Sequence, residues 1–272
     1  LSLVGKRHRL GRLINRGTGR TVIAALDHGL QHGPGLRGIG RFRETLARIM
    51  EGGPDAVVLN PGAVKSVFAD YEGSAGLLVK LTAFTPFHPH FDAPIGSVEE
   101  AVRLGADGVS VGFLFGSGYP QQRDLMENLG AAAEGCLEWG IPLFVHAYPR
   151  GEGVPEGEWY RADRVGYAAR AAAEIGADVV KTSYTGSPAT FREVVLSCPV
   201  PVVQAGGPRA EGDREFLESV KGSIEAGALG VAVGRNVFMH DHPDAMVRAA
   251  KAVVHQGLGV DEALREIPET SK

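Results

Sequence analysis

Gly176-Ala177-Asp178-Val179-Val180 ends a helical pattern on a glycine and runs at once into β-branched apolar residues. The same join recurs as Gly53-Pro54-Asp55-Ala56-Val57-Val58, Gly105-Ala106-Asp107-Gly108-Val109 and Gly227-Ala228-Leu229-Gly230-Val231. Glycine closes a helix by taking a left-handed conformation that side chains disfavour, and an unbroken apolar run suits a strand covered on both faces. Between these copies lie Thr21-Val22-Ile23-Ala24-Ala25-Leu26, Leu77-Leu78-Val79-Lys80-Leu81, Pro142-Leu143-Phe144-Val145-His146 and Pro201-Val202-Val203-Gln204, which brings the expected strands to eight. Helical periodicity over residues 41–51, 97–104, 124–139, 160–175, 188–196, 213–226 and 243–255 separates most of them.

Parallel strands need crossover helices, and right-handed crossovers carried on around the sheet close it, so the pattern predicts a (β/α)8 TIM barrel of the α/β class. An open doubly wound sheet would carry a glycine-rich GxGxxG turn after its first strand, where this chain has Asp27-His28-Gly29. The 272 residues suit one barrel domain over 1–272. Residues 1–20 are expected to close its bottom, with a helix over Lys6 to Asn15, and 257–272 to form a short helix and tail.

Composition removes several function classes. With a net charge of −4, the chain as a whole offers no basic field for nucleic acid or an anionic membrane surface, although residues 1–20 are basic. Residues 1–20 lack the apolar core of a signal peptide, and no run reaches membrane-spanning length. Cys136 and Cys198 form no CxxC pair, which fits a reducing compartment, so a cytoplasmic location is expected.

In such a barrel the C-terminal strand ends and the loops after them build the site. The polar residues expected there are Asp27, His28 and His32 after the first strand, Asn60 after the second and Lys80 within the third. His146, Tyr148 and Arg150 follow the fifth, Lys181 ends the sixth, and Gly206, Gly207, Gly234 and Arg235 follow the last two. Of the chain's seven lysines, only Lys80 and Lys181 fall inside strand-like apolar runs. A lysine at the mouth of a parallel sheet loses solvation, which favours the free amine, and that amine can condense with a ketone as a Schiff base. The plain alternative is a strand-end lysine whose ammonium reaches water along its stem.

Ala205-Gly206-Gly207-Pro208 and Val233-Gly234-Arg235-Asn236 expose backbone N–H groups at strand ends, the second with a guanidinium added. Close approach of N–H dipoles and arginine suits a phosphate, and the loops after strands seven and eight are where this fold grips one. Tight turns alone would also use these glycines. Asp27, after five apolar residues, suits a partly buried carboxylate paired with a cation or a substrate hydroxyl, or equally an Asx turn or helix cap. Tyr148, pinned by Pro149-Arg150-Gly151, offers a phenol for proton transfer or a core tyrosine with a satisfied hydroxyl. His240-Asp241-His242 and His88-Pro89-His90 bring no third ligand at metal-site spacing, so neither a metal nor a cofactor is expected.

Leu26-Asp27-His28-Gly29-Leu30-Gln31-His32-Gly33-Pro34, Tyr148-Pro149-Arg150-Gly151, Val180-Lys181-Thr182-Ser183-Tyr184-Thr185-Gly186, Ala205-Gly206-Gly207-Pro208 and Gly234-Arg235-Asn236-Val237-Phe238 together resemble the DhnA-type, or archaeal-type, class I aldolase family. The resemblance runs from about residue 20 to 255 with the motifs in order. It implies Lys181 as the Schiff-base lysine, Tyr148 as general acid and base, and Asp27 as a polar partner of the reacting groups. The Gly206-Gly207 and Gly234-Arg235 loops would hold the phosphate of a ketose, and His28, His32, Lys80, Arg150 and Ser183 would bind the rest of a sugar phosphate. The family includes fructose-1,6-bisphosphate aldolases, 2-amino-3,7-dideoxyheptulosonate synthases and the thiolase that ends autoinducer-2 breakdown. His28 to Pro34 and Lys80 look like the first group and Lys181 to Gly186 like the second. His240-Asp241-His242-Pro243 is similar to the thiolase's end region, but Tyr148 argues against that branch. The resemblance also implies a homo-oligomer, often a decamer of two pentameric rings. A metal-dependent class II aldolase and a non-catalytic phosphosugar-binding barrel are the readings from other classes; a chelator would stop the first, and the second would tolerate loss of Lys181.

Overall fold

The apolar runs form the parallel strands β1 (Thr21–Ala25), β2 (Ala56–Leu59), β3 (Gly76–Lys80) and β4 (Gly108–Leu114). They continue as β5 (Leu143–Tyr148), β6 (Val179–Ser183), β7 (Val202–Ala205) and β8 (Gly230–Val233). Each pairs with its sequence neighbour, and β8 returns to β1 with Thr21 opposite Gly230, so the sheet is a closed barrel of eight strands. The structure is a computed structural model that describes residues 2–268. Leu1 and residues 269–272, the end of the expected tail, lie outside the described residues.

The helix α1 (Ser2–Leu13) lies against the bottom of the barrel, and the outer wall is made by α2 (Phe42–Glu51), α3 (Val98–Arg103), α4 (Gln121–Trp139) and α5 (Ala162–Ile175). It is completed by α6 (Pro188–Ser197), α7 (Asp213–Glu225) and α8 (Pro243–Gln256). Between β2 and β3 there is no regular crossover helix. Pro61–Ala63 starts a helical turn that passes into a π turn at Val64–Phe68 and a 3-10 turn at Ala69–Tyr71. After β3 the chain makes a small antiparallel ribbon, Thr82–Ala83 against Ala93–Pro94, which the sequence pattern did not anticipate. The chain after α8 does form the expected short helix, Val260–Ala263 followed by a 3-10 turn at Leu264–Glu266.

Side chains alternate across each strand, so the barrel interior reads off one parity. Ile23, Ala25, Ala56, Val58, Leu78, Phe144, Val179, Val203 and Ala232 pack together inside, with Leu13 from the end of α1 entering from below. The other parity, such as Val22, Val57, Val79, Val145 and Val180, packs outward into the second apolar cluster, which the helices also join. Two residues above the inner apolar positions come Asp27, Asn60, Lys80, His146, Lys181 and Ala205. The polar groups therefore occupy the next inward layer, stacked on an apolar floor.

The repeated aspartate has a definite task at the opposite face. Asp55 accepts the N–H of Val22 at 2.7 Å, Asp107 that of Leu77 at 3.0 Å and Asp178 that of Leu143 at 2.8 Å. Each thus satisfies a donor at the start of the preceding strand, and each also meets a cation or imidazole: His255, Arg12 and Lys6 respectively. The fourth copy has Leu229 in place of Asp and so has no such carboxylate, while its carbonyl accepts the N–H of Thr21 as the Asp55 carbonyl accepts that of Gly76. Removing such a carboxylate orphans a strand-start donor, so Asp178→Ala is expected to cost about 1–3 kcal/mol of stability in urea unfolding, without changing substrate affinity.

Candidate active site

The inward layer and the loops above it enclose a pocket of about 280 Å³ at the C-terminal end of the strands. Lys181 is the middle residue of β6, opposite His146 of β5 and Val203 of β7. It is therefore held within the ladder, not at the strand end where its polar followers seemed to place it. The extension arises because Thr182 and Ser183 continue the pairing with Gln204 and Ala205. Tyr148 lies two residues beyond the partner of Lys181, one side-chain layer higher on the same inner face.

Of the residues singled out from sequence, Asp27, His28 and His32 line the pocket from the β1 side, and Tyr148, Arg150, Lys181 and Ser183 from β5 and β6. Gly206, Gly207, Gly234 and Arg235 line it from the β7 and β8 side. Lys80 is different. Its ammonium is buried beside the pocket and donates to the Thr82 carbonyl at 2.8 Å and to Thr82 Oγ1 at 2.7 Å, with Asp92 at 3.4 Å. His146, expected at this strand end from the sequence, also lines the pocket on the inward parity of Tyr148. Trp159, Phe84 and His90 line it as well without having been expected there, because they come from loops without periodicity.

The ε-amine of Lys181 has no hydrogen-bond partner or ion pair among the described residues, although the residue is only 6% exposed. Burial drives its pKa down; the nearby Asp27 pulls it up, Lys80 and Arg235 push it down further, and the net result is below the usual lysine value. Asp27 feels the opposite balance. Burial would raise its pKa, but His28, Lys181 and Lys80 outweigh it, so the carboxyl stays ionised. His146 is held neutral, well below the ordinary imidazole pKa, first by burial and then by Lys181 and Lys80. Burial likewise lowers His28 to about 4 and raises the Tyr148 phenol above its ordinary value, so Tyr148 is a proton donor at neutral pH.

Arg150 and Arg235 are the two arginines that line the pocket. Arg150 is stacked between aromatic faces, its Cζ 5.1 Å from the Tyr148 ring centre and 4.8 Å from that of Trp159. Each arginine has a buried Nε without a partner, and neither forms an ion pair with a carboxylate among the described residues. Unpaired guanidinium groups on a concave wall are placed to receive oxyanions. Around Arg235 the backbone is tightly packed. Gly207 takes φ +64°, and a Cβ at Gly234 would stand 2.5 Å from the His28 ring. Asn236 ties the two loops together by donating to the Gly206 carbonyl at 2.8 Å and accepting the Ala210 N–H at 2.8 Å.

The other histidine pair serves local structure. His240 Nδ1 accepts the His242 N–H at 2.9 Å, and its Nε2 lies 3.3 Å from Asp213. No helix among the described residues is long and apolar enough to cross a membrane.

Comparison with known proteins agrees with this architecture. The chain is 39% identical over 263 residues to the 2-amino-3,7-dideoxy-D-threo-hept-6-ulosonate synthase of Halobacterium salinarum, covering 96% of this chain and 95% of that protein. It is 37% identical over 268 residues to a synthase of the same name from Archaeoglobus fulgidus, covering 96% and 95%. Among solved structures, an archaeal fructose 1,6-bisphosphate aldolase superposes with a TM-score of 0.83 at 35% identity, covering 92% of this chain and 99% of that one. The profile of the DeoC/LacD family of aldolases matches residues 21–240. With most of its length inside that match and the barrel carrying its polar layer at the strand C-termini, the chain belongs to the DeoC/LacD family of aldolases.

Proposed function

We propose that this aldolase works through a Schiff base on Lys181 and reversibly cleaves fructose 1,6-bisphosphate into dihydroxyacetone phosphate and glyceraldehyde 3-phosphate. The observation that carries the reading is the unpartnered, buried Lys181 amine in a pocket that also holds two arginines without a carboxylate partner. A bisphosphate offers one dianion to each arginine: the Gly206-Gly207 and Gly234-Arg235 loops take the C1 phosphate, and Arg150 the C6 phosphate. A solved archaeal fructose-1,6-bisphosphate aldolase, 34% identical to this chain with a TM-score of 0.83, has its catalytic lysine covalently bound to the carbinolamine intermediate of its substrate.

The sequence of steps follows from the protonation states. Lys181, as free amine, adds to the C2 ketone and gives a carbinolamine. The Tyr148 phenol donates its proton to the departing hydroxyl, water leaves, and a protonated imine forms next to the Asp27 carboxylate, which stabilises the positive charge. The phenolate then takes the C4 hydroxyl proton as the C3–C4 bond breaks, and the bonding electrons flow into the imine to form an enamine. Glyceraldehyde 3-phosphate leaves, Tyr148 returns its proton to C3, and water adds to C2 with its proton going to the phenolate. Collapse of the new carbinolamine releases dihydroxyacetone phosphate and the amine. No metal or cofactor is required by this sequence. The assignment to the cytoplasm rests on the two buried free thiols, Cys136 and Cys198. The homo-oligomer implied by the family resemblance belongs to the same proposal.

The identities of 39% and 37% to hept-6-ulosonate synthases favour a second reading, transfer of a ketose-phosphate fragment to an aldehyde acceptor. The lysine and tyrosine would act identically, and Arg150 would face the acceptor's carboxylate instead of a second phosphate. Initial rates of fructose 1,6-bisphosphate cleavage and of condensation onto aspartate semialdehyde separate the two. Cleavage should dominate; negligible cleavage with rapid condensation would select the transfer reaction.

A further inference from the structure

The loop of residues 84–91 hangs between the two short strands of the antiparallel ribbon and contributes Phe84, Pro89 and His90 to the pocket wall. It ends at Asp92, whose carboxylate is driven into the barrel and is only 3% exposed. There it fills the place of a missing side chain: a Cβ added at Gly112 of β4 would lie 1.4 Å from Asp92 Oδ2 and 3.3 Å from Lys80 Nζ. Thr82 organises the cluster. Its hydroxyl donates to Asp92 Oδ2 at 2.9 Å and accepts from the Gly112 N–H at 2.8 Å and from Lys80 Nζ at 2.7 Å. One donor and two lone pairs are thereby all used, which fixes Lys80 as a donor to this hydroxyl and Asp92 as its acceptor.

We propose that Asp92 is a positioning residue of the active site: seated over Gly112, it anchors the Lys80 side chain in place beside the catalytic layer and so couples seating of the 84–91 loop to a reactive Lys181. This rests on the reading of Lys181 as the nucleophile. The groups that face Lys181 are Asp27 and His28 beyond β1, Lys80 from β3, His146 and Tyr148 from β5, and Arg235 beyond β8. Asp27 favours the ammonium form, and Lys80 and Arg235 oppose it. Arg235 is committed to the phosphate end in the proposed reaction, so Lys80 is the cation that stays available when substrate is bound. Lys80 is 3% exposed, and its buried Nζ has its only carboxylate partner among the described residues in Asp92 at 3.4 Å. Without Asp92 the side chain loses that anchor and leaves its place beside the catalytic layer, the repulsion weakens, and the Lys181 ammonium persists to higher pH.

The test follows the pH dependence of cyanoborohydride trapping of dihydroxyacetone phosphate on Lys181, with wild type, Asp92→Ala, Gly112→Ala and the double variant. The acid limb of trapping should move up by about one pH unit in each single variant. Gly112→Ala keeps every charge and acts by pushing the flexible carboxylate aside, so it gives the same reading should Asp92→Ala fail to fold. In the double variant the added methyl enters vacated space, and its limb should coincide with that of Asp92→Ala. Limbs that superimpose on wild type, that move down, or that add in full in the double variant overturn the inference. Absence of trapping on Lys181 in the wild type would instead remove the Schiff-base reading, and this inference with it.

Discussion

Lys181→Met is expected to lower the rate of ketose-phosphate cleavage by on the order of 10⁴-fold or more, while leaving the protein folded. Methionine matches the length of the lysine stem and suits a site that is nearly closed to solvent. Removing a buried, unpartnered amine takes away a desolvation cost, so thermal stability should hold or rise. The loss of rate is large because every step after addition to C2 depends on the imine as electron sink, and no neighbouring side chain can take over that covalent role. Lys80, the other lysine in the barrel, is engaged by Thr82 and Asp92 and cannot substitute. Steady-state assays and a melting curve on the same preparation check both halves of this expectation.

Tyr148→Phe should lower kcat by about 10²–10⁴-fold with a small change in KM, the range for loss of a positioned acid and base. Phenylalanine keeps the ring on which the Arg150 guanidinium is stacked, so the anion site at that arginine survives. Only the hydroxyl is lost, and with it the proton for the departing carbinolamine oxygen and the acceptor for the C4 proton. Burial raises the phenol's pKa, so the free enzyme carries it protonated through neutral pH and Tyr148 itself imposes no alkaline loss of imine formation there. The variant should still form a reducible imine on Lys181, but slowly. A KM raised as much as kcat is lowered would show that the phenol binds substrate and does not move protons.

Most of this protein's architecture was open to a reading of the sequence because its signals are local. A helix-closing glycine followed by an apolar run specifies a helix, a reversal and a buried strand within a few residues, and repetition of that join leaves few topologies besides the barrel. Parity then does the rest, since residues two apart on a strand face the same way and Lys181, His146 and Tyr148 inherit the inward face of Val179 and Phe144. What the sequence obscured is non-local. Lys181 lies inside β6 because the β7 ladder continues past it, a fact about the neighbouring strand. Lys80 looked like a substrate contact because its partner, Asp92, arrives from a proline-broken loop with no period of its own. Trp159 joins Arg150 only in three dimensions, and the aspartates of the repeated joins looked like strand-entry residues until their bonds to the preceding strands were visible.

The Schiff base is the centre of the account, and chemical capture tests it most directly. The protein is incubated with fructose 1,6-bisphosphate, reduced with borohydride, digested, and its peptides are sequenced by mass spectrometry. One adduct of the reduced ketose phosphate is predicted, on the peptide that carries Lys181, with cleavage activity lost in proportion to labelling and unaffected by prior treatment with chelator. A label on another lysine, an undiminished label in Lys181→Met, or full cleavage activity after reduction with no adduct would contradict it.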